Sequence, residues 1–413
     1  MGPVKLGDTQ SRADFFSRSV LANLTYWQDW LAANQSNLVA LEQDYSNLLR
    51  GLVFALDLAG PAWSPLYKLI EEFSPYMERR GHWQVWQELL ERALATAKQV
   101  EDQAAEVTLT ALLARLSFQQ SRFDATVRLY RRAIRLARSV DDRFNLGRAC
   151  TNLGYYYIEH RQLWRAEVLC MFALRLFEQL GSHHGRAHTE NHLGTMYIWQ
   201  NRWEQARQHL EQACALWQAM GDDHGLMRGL TNLSTLYLRM EQAEPALNCL
   251  TQALQQATLA GEEAIIGRIY MNMGLAYTIS RDFPAAEMYT RQAEIIFQQY
   301  SDINGLARIW GNLGVIYAHQ GKWSEALLHF EKSLQTWRNL GLKEDEIMTL
   351  IDLVESEQIR DNHEQAHTYL QEVEHLLGPN RESYLYRYLQ PRLTQCRRKL
   401  EDAGQSLHKP NNI

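Results

Sequence analysis

Across 413 residues the chain carries 42 Lys and Arg against 48 Asp and Glu, with 46% apolar residues, 23 Gly and 9 Pro. A formal net charge of -6 with scattered basic residues removes the electrostatic footprint that a nucleic-acid partner requires. Length alone would imply two or three globular domains at roughly 150 residues each, an arithmetic that a repeat array escapes because it grows without enlarging one core.

Residues 1–18 are largely polar and lack the apolar stretch of a secretory signal, so they are expected to be unstructured. Residues 19–62 read as a helical N-terminal cap, with Trp27, Trp30, Leu31, Leu41, Tyr45, Leu48 and Leu49 at helical spacing. The most apolar run, residues 48–60, contains Arg50 and Asp57 and is too short to span a membrane. The five cysteines, Cys150, Cys170, Cys214, Cys249 and Cys396, form no C-x-x-C pair. An odd number at long spacing is a poor disulfide framework, so they read as reduced, mostly buried thiols in a cytoplasmic protein.

Residues 63–378 repeat with a period of 40. Asn152, Asn232, Asn272 and Asn312 share one column, with His192 in the missing row. Two positions on come Gly154, Gly194, Ser234, Gly274 and Gly314, then Tyr157, Tyr197, Tyr237, Tyr277 and Tyr317. Ala166, Ala206, Ala246, Ala286, Ala326 and Ala366 form a fourth column, and Ala93, Ala133, Ala173, Ala213, Ala253, Ala293 and Ser333 a fifth. Each row holds two apolar stretches at helical spacing separated by a polar turn, and Gly181, Gly221, Gly261 and Gly341 stand where a helix end needs positive φ. Small residues on facing helices let two backbones approach closely, while Tyr and Trp fill the gaps between pairs. One hairpin cannot bury both its faces, so about eight of them must stack.

The order small residue, Tyr three later, Ala nine after that and Ala seven further on resembles the tetratricopeptide repeat. The row Leu313, Gly314, Tyr317, Ala326, Phe330, Ser333 carries that framework with the last Ala changed. A 40-residue period in place of the usual ~34 is similar to the long-helix subclass, found in Pins-type scaffolds, kinesin light chains, Rap-type peptide receptors and the C-terminal arrays of bacterial signal-transduction ATPases. The resemblance implies an all-α fold, a right-handed α-solenoid of helical hairpins with short helical caps at both ends. It also implies a protein-binding rather than catalytic role, with no cofactor. No G-x-x-x-x-G-K-[ST] phosphate loop occurs in the chain, so the nucleotide switch of those ATPases is not expected within these residues.

Four residues before the Asn column stand Arg148, Arg228, Arg268 and Arg308, with His188 in the row where His192 replaces Asn. Positions i and i+4 share one helix face, so stacking lines these pairs up as a ladder. By the resemblance, the first helix of each hairpin lines a concave groove, and the ladder would face a ligand there. Asn can hold both N–H and C=O of a peptide backbone, and the Arg fork suits carboxylates. The ligand implied is a protein or peptide of acidic character, with neither nucleic acid nor membrane as partner. A second reading stands beside this one: Asn bridges to the next hairpin and Arg pairs with acidic neighbours inside the array.

Three further features bear on chemistry. His363-Glu364-Gln365-Ala366-His367 spells H-E-x-x-H, the zinc hydrolase pattern, but Ala366 falls in the alanine column and commits that helix to packing. His183, His184, His188 and His192 are a second metal candidate, with the plainer reading that one row exchanged Arg and Asn for His; imidazoles in a groove would make binding depend on pH. Trp199 and Trp310 lie on first helices and are groove candidates, whereas Trp83, Trp203 and Trp323 share a turn column and read as architectural. Residues 379–403 are expected to form a C-terminal capping helix and 404–413 a polar tail. The function that follows is a scaffold, adaptor or sensor, with a Rap-like regulator of a signalling protein and, more remotely, a zinc hydrolase as alternatives.

Overall fold

The computed structural model describes residues 6–34, 38–58, 60–79, 82–379 and 384–407, and among these every regular element is helical. Residues 1–5 of the expected unstructured segment and 408–413 of the expected tail lie outside the described residues. The chain divides into two compact units, residues 1–185 and 186–413.

The first unit opens with α1 (Leu6–Asn34) and α2 (Leu38–Leu58), followed by a 3₁₀ turn over Gly60–Ala62 and α3 (Trp63–Arg79). Then come α4 (Trp83–Gln99), α5 (Gln103–Gln119), α6 (Phe123–Ser139), α7 (Arg143–Glu159) and α8 (Leu163–Gln179). Helix α1 begins at Leu6, well inside the stretch expected to be unstructured. From Asp8 to Asn34 neither Gly nor Pro interrupts it, and Val20, Leu24, Trp27 and Leu31 anchor one face in the core, so the helix propagates back from that anchor. Leu48, Leu52, Leu66, Phe73 and Trp86 complete the same buried cluster.

Helix α9 (His183–Trp199) straddles the division, and the second unit continues with α10 (Trp203–Met220), α11 (Asp223–Arg239), α12 (Ala243–Ala260), α13 (Glu263–Ile279) and α14 (Phe283–Gln299). It ends with α15 (Ile303–His319), α16 (Trp323–Leu340), α17 (Lys343–Ile359), α18 (His363–Leu377) and α19 (Tyr384–Leu407). Consecutive helices pair as hairpins, α11 with α12, α13 with α14, α15 with α16 and α17 with α18.

A single turn design, repeated every 20 residues, makes the hairpins. From Glu101 to Asp361, one residue per turn has φ between +53° and +73°. The next residue closes the preceding helix through its N–H, as in Asp142 N to Ala137 O at 2.9 Å and Asp302 N to Phe297 O at 2.9 Å, the bond of a Schellman end. Where that residue is Asp it also opens the following helix: Asp222 Oδ1 accepts from Gly225 N at 2.8 Å and Asp302 Oδ1 from Gly305 N at 2.9 Å. Two helix ends are thus satisfied by three residues, leaving no slack in the angle between helices.

The alanine columns are fully buried at Ala166, Ala206, Ala246 and Ala286. Their partners approach so closely that a Cβ placed on Gly154 would lie 2.5 Å from Cys170 Sγ, and one on Gly194 3.2 Å from the Ala206 carbonyl oxygen. All five cysteines are buried and free, and burial pushes the Cys150 thiol up to about 11 and the Cys170 thiol up to about 12.

Candidate functional site

In the second unit the first helices of successive hairpins touch directly, α11 with α13, α13 with α15 and α15 with α17, whereas the second helices have no comparable mutual packing among the described residues. A layer whose members sit closer together is the inside of a curve. The ladder residues of α11, α13 and α15 therefore sit on helices of the inner layer, and several are held by side chains of adjacent helices.

In the first unit, Arg148 Nη1 lies 3.2 Å from Glu71 Oε1 of α3 and 3.1 Å from Asn145 Oδ1, while Asn152 is partly buried. In the second, Arg228 Nη2 donates to His188 Nδ1 at 2.5 Å, and its guanidinium lies 5.2 Å from the centre of the Trp217 ring. Asn232 Nδ2 donates to the buried Asn191 Oδ1 at 2.9 Å. Asn272 is buried and Asn312 partly so. Arg308 Nη2 sits 3.4 Å from Asp345 Oδ1, an exposed pair of little energetic weight. Arg268 is exposed and has no ion-pair partner among the described residues. Arg148 in the first unit, and His188, Arg228, Asn232 and Arg308 in the second, are thus tied to neighbouring helices, whereas Arg268 is an exposed cation.

The histidine row does not assemble a metal site. His183 and His184 are exposed, His188 is taken up by Arg228, and burial together with the Arg228 charge pushes the His192 pKa down to about 3. His192 is neutral at physiological pH, so it cannot supply the pH dependence between about 5.5 and 7 that an imidazole in a groove would bring. His363 opens α18, while Glu364 and His367 face solvent. Among the described residues no group of three or more His, Cys, Asp or Glu is placed to hold a metal ion.

The second unit also contains a long-range contact that spacing alone does not reveal. Helix α19 packs on α17 and α18 and reaches back to much earlier hairpins. The Tyr388 ring lies 4.8 Å from that of Trp199, its carbonyl accepts from Asn201 Nδ2 at 3.3 Å, and the Arg239 guanidinium stands 5.1 Å over it. One turn on, Arg392 Nη2 is 2.7 Å from both Asp352 Oδ1 and Glu355 Oε2, and Gln358 Nε2 donates to the Cys396 carbonyl at 2.8 Å. Asp352 occupies the Asn column in the last row, and Glu355 the next position on the same face. Burial raises the Asp352 pKa and the Arg392 charge opposes that rise. Of the two tryptophans singled out from the sequence, Trp199 meets α19, whereas Trp310 Nε1 donates to Glu294 of α14 at 3.0 Å. The recurrence of Tyr384, Tyr388, Arg392 and Cys396 at four-residue intervals is the signal that marks one contacting face of α19.

The family model for the tetratricopeptide repeat matches residues 185–258, 265–333 and 305–376. Those residues carry tetratricopeptide repeats. Among solved structures, this repeat array is similar to aspartyl phosphate phosphatase F from Bacillus subtilis, with 13% identity, a TM-score of 0.59, and 92% of this chain and 96% of that one covered. It is similar to a Rap protein complexed with competence and sporulation factor, with 14% identity, a TM-score of 0.56, and 82% and 99% covered. It is similar as well to a signal transduction ATPase with numerous domains, carrying a tetratricopeptide repeat sensor, from Pyrococcus horikoshii, with 14% identity, a TM-score of 0.54, and 88% of this chain but 54% of that chain covered. At these identities the likeness is one of fold. No curated protein matches the chain in sequence. Among the described residues no helix is long and apolar enough to cross a membrane.

Proposed function

We propose that this tetratricopeptide-repeat chain is a non-catalytic binding scaffold or sensor of the cytoplasm whose second unit holds a protein or peptide against the inner layer of α11, α13, α15 and α17. The observation that carries the reading is the inner layer itself. It presents polar side chains at 40-residue intervals on helices held at close and constant spacing, and one of them, Arg268, is exposed without an ion pair among the described residues. Rigid spacing suits recognition of an extended or helical ligand, because little conformational entropy is lost on the receptor side. The Rap protein, whose fold is similar, is complexed with competence and sporulation factor, and binding of a peptide or protein by the inner layer is the corresponding expectation here. The likeness to a phosphatase transfers no catalytic residue at 13% identity.

Within the second unit the ladder residues Arg228, Asn232, Arg268, Asn272, Arg308 and Asn312, with His188 and His192 on the neighbouring α9, would act in two ways, while Arg148 and Asn152 belong to the first unit. The paired rungs keep the rows in register, and Arg268 with the accessible amides meets the ligand, favouring a carboxylate-bearing sequence. Capture of an immobilised peptide array by the intact chain, by Arg268→Ala and by Asn232→Ala/Asn272→Ala/Asn312→Ala tests this. Loss of tenfold or more in affinity for acidic peptides is expected for Arg268→Ala, with the helical content of both variants unchanged. Capture retained by both variants sinks the ladder reading.

A further inference from the structure

Helix α19 does more than close the last hairpin. Its contacts with Trp199 at the end of α9, Asn201 in the turn after it and Arg239 at the end of α11 bridge more than 140 residues of sequence, and through Arg239 and, on α17, Asp352 and Glu355 it occupies helices that the proposed function assigns to a ligand. The mode of contact is that of a bound helix. An aromatic anchor, Tyr388, sits between an indole and a guanidinium, and its residue is 7% exposed. Leu389 and Leu393 are buried among residues of the hairpin stack. A charged anchor, Arg392, engages two carboxylates at once, one of them in the ladder column. Arg397 adds a contact to Glu374 of α18 at 2.8 Å.

The helix is also a poor one by its own sequence. Pro391 stands in its interior and is exposed. An internal proline removes a backbone hydrogen bond and costs a helix about 3 kcal/mol relative to Ala. Ahead of the proline only Tyr384 to Gln390 remain, and a helix that short is marginal by itself in water, so the helical state of the part that carries Tyr388 depends on being docked. Weak intrinsic helicity with strong side-chain anchors is the energetic profile of a segment that folds on binding.

We propose that α19 is a built-in ligand of the inner layer, and that the protein's partner is an amphipathic helix bearing an aromatic residue and, four positions later, an arginine, which binds by displacing α19. This rests on the binding role proposed above and sharpens it. The end of the layer formed by α17 takes a basic helix through Asp352 and Glu355, whereas the acidic ligand considered for the ladder belongs to the Arg268 end. The built-in helix lowers the apparent affinity for any partner by the fraction of time the site is self-occupied.

The test uses the full chain and a fluorescent synthetic peptide of its own residues 384–402, Tyr388 and Arg392 included. The wild-type chain is expected to bind this peptide weakly. Tyr388→Ala/Arg392→Ala in the chain loosens the built-in copy and leaves the acceptor intact, so peptide affinity is expected to rise at least tenfold, 1.4 kcal/mol of binding free energy. Adding Asp352→Asn/Glu355→Gln is expected to abolish the gain. Equal affinity in the wild-type and loosened chains, or no binding to either, makes α19 a fixed part of the fold and overturns the proposal. Should the loosened chain unfold, hydrogen exchange on the wild-type chain decides. Amides of 384–402 are expected to exchange at least tenfold faster than those of α15, and Pro391→Ala to slow them; exchange as slow as in α15 overturns the proposal equally. Binding of this peptide that is lost with Asp352→Asn/Glu355→Gln, together with acidic-peptide capture unchanged by Arg268→Ala and by Asn232→Ala/Asn272→Ala/Asn312→Ala, ends the ladder reading and keeps this one. A ladder that binds acidic peptides without any gain on loosening α19 does the reverse.

Discussion

Two glycines three residues apart on one helix provide a sharp test of how close packing of the inner layer is achieved. Gly311 and Gly314 both lie in α15, so replacing either by Ala brings the same gain in helix propensity, about 1 kcal/mol at most. Their surroundings differ. A Cβ on Gly311 would meet nothing nearer than Ser333 Oγ at 3.5 Å, an ordinary contact. A Cβ on Gly314 would lie 2.8 Å from three atoms of the Phe330 ring, and that ring is 1% exposed and cannot swing into solvent. Relieving that overlap costs about 1–3 kcal/mol, the usual range for overpacking. Gly311→Ala is therefore expected to stabilise the chain by about 0.5–1 kcal/mol, and Gly314→Ala to destabilise it by about 1–2 kcal/mol after the propensity gain is deducted. Urea denaturation followed by circular dichroism measures both, as shifts of the midpoint at constant slope. Propensity cancels in the comparison, so shifts of the same sign and size for the two variants would refute the packing argument at Gly314 and with it the role given to the small-residue column.

Acid sensitivity follows from His192. Its folded pKa, pushed down to about 3, lies below the value near 6.5 that the unfolded chain has, so the unfolded state takes up the proton first and stability is complete above about pH 6.5 and declines as pH falls from there toward 3. Between pH 7.5 and 5.0 this amounts to at most about 2 kcal/mol, 1.5 pH units at about 1.36 kcal/mol each, and to about 1 kcal/mol once the partly accessible edge of the ring is allowed for. Thermal melts at the two pH values are expected to show His192→Asn, the residue most rows carry, losing less on acidification than the wild-type chain; identical losses would end this assignment. At the turns, Glu241 and Arg281 hold φ of +56° and +61°, a backbone that costs a non-glycine residue about 1–2 kcal/mol. Glycine regains part of this against its greater freedom when unfolded, so Glu241→Gly/Arg281→Gly is expected to raise stability by about 1 kcal/mol in the same denaturation assay, and a fall would show that these side chains contribute more than the turn conformation costs.

The legibility of this fold from sequence is uneven for identifiable reasons. Left-handed turns were readable at Gly181, Gly221, Gly261 and Gly341, because a recurrent glycine advertises positive φ. The same conformation at Asp141, Glu241, Arg281 and Ser301 carried no such mark, since those residue types are ordinary in any polar turn. The ladder column was visible through its period, yet its partners were not. Glu71 lies 77 residues from Arg148, and no helical periodicity links positions so far apart. Asp352 stands in the Asn column of the last row, and the reason for a carboxylate there appears only with Arg392 beside it, 2.7 Å away.

What the sequence determined by itself is the part of the protein governed by local rules: all-helical composition, hairpins, small residues where backbones meet, and a repeat that grows by adding rows. These depend on interactions within about one row, which a period records directly. Tertiary structure decided which rungs are tied and which are open, held His192 neutral by burial beside Arg228, and seated α19 on the inner layer with Tyr388 against Trp199 and Arg392 against Asp352 and Glu355. Those outcomes depend on which helices within a unit meet across long stretches of sequence, and no single residue or local period encodes that.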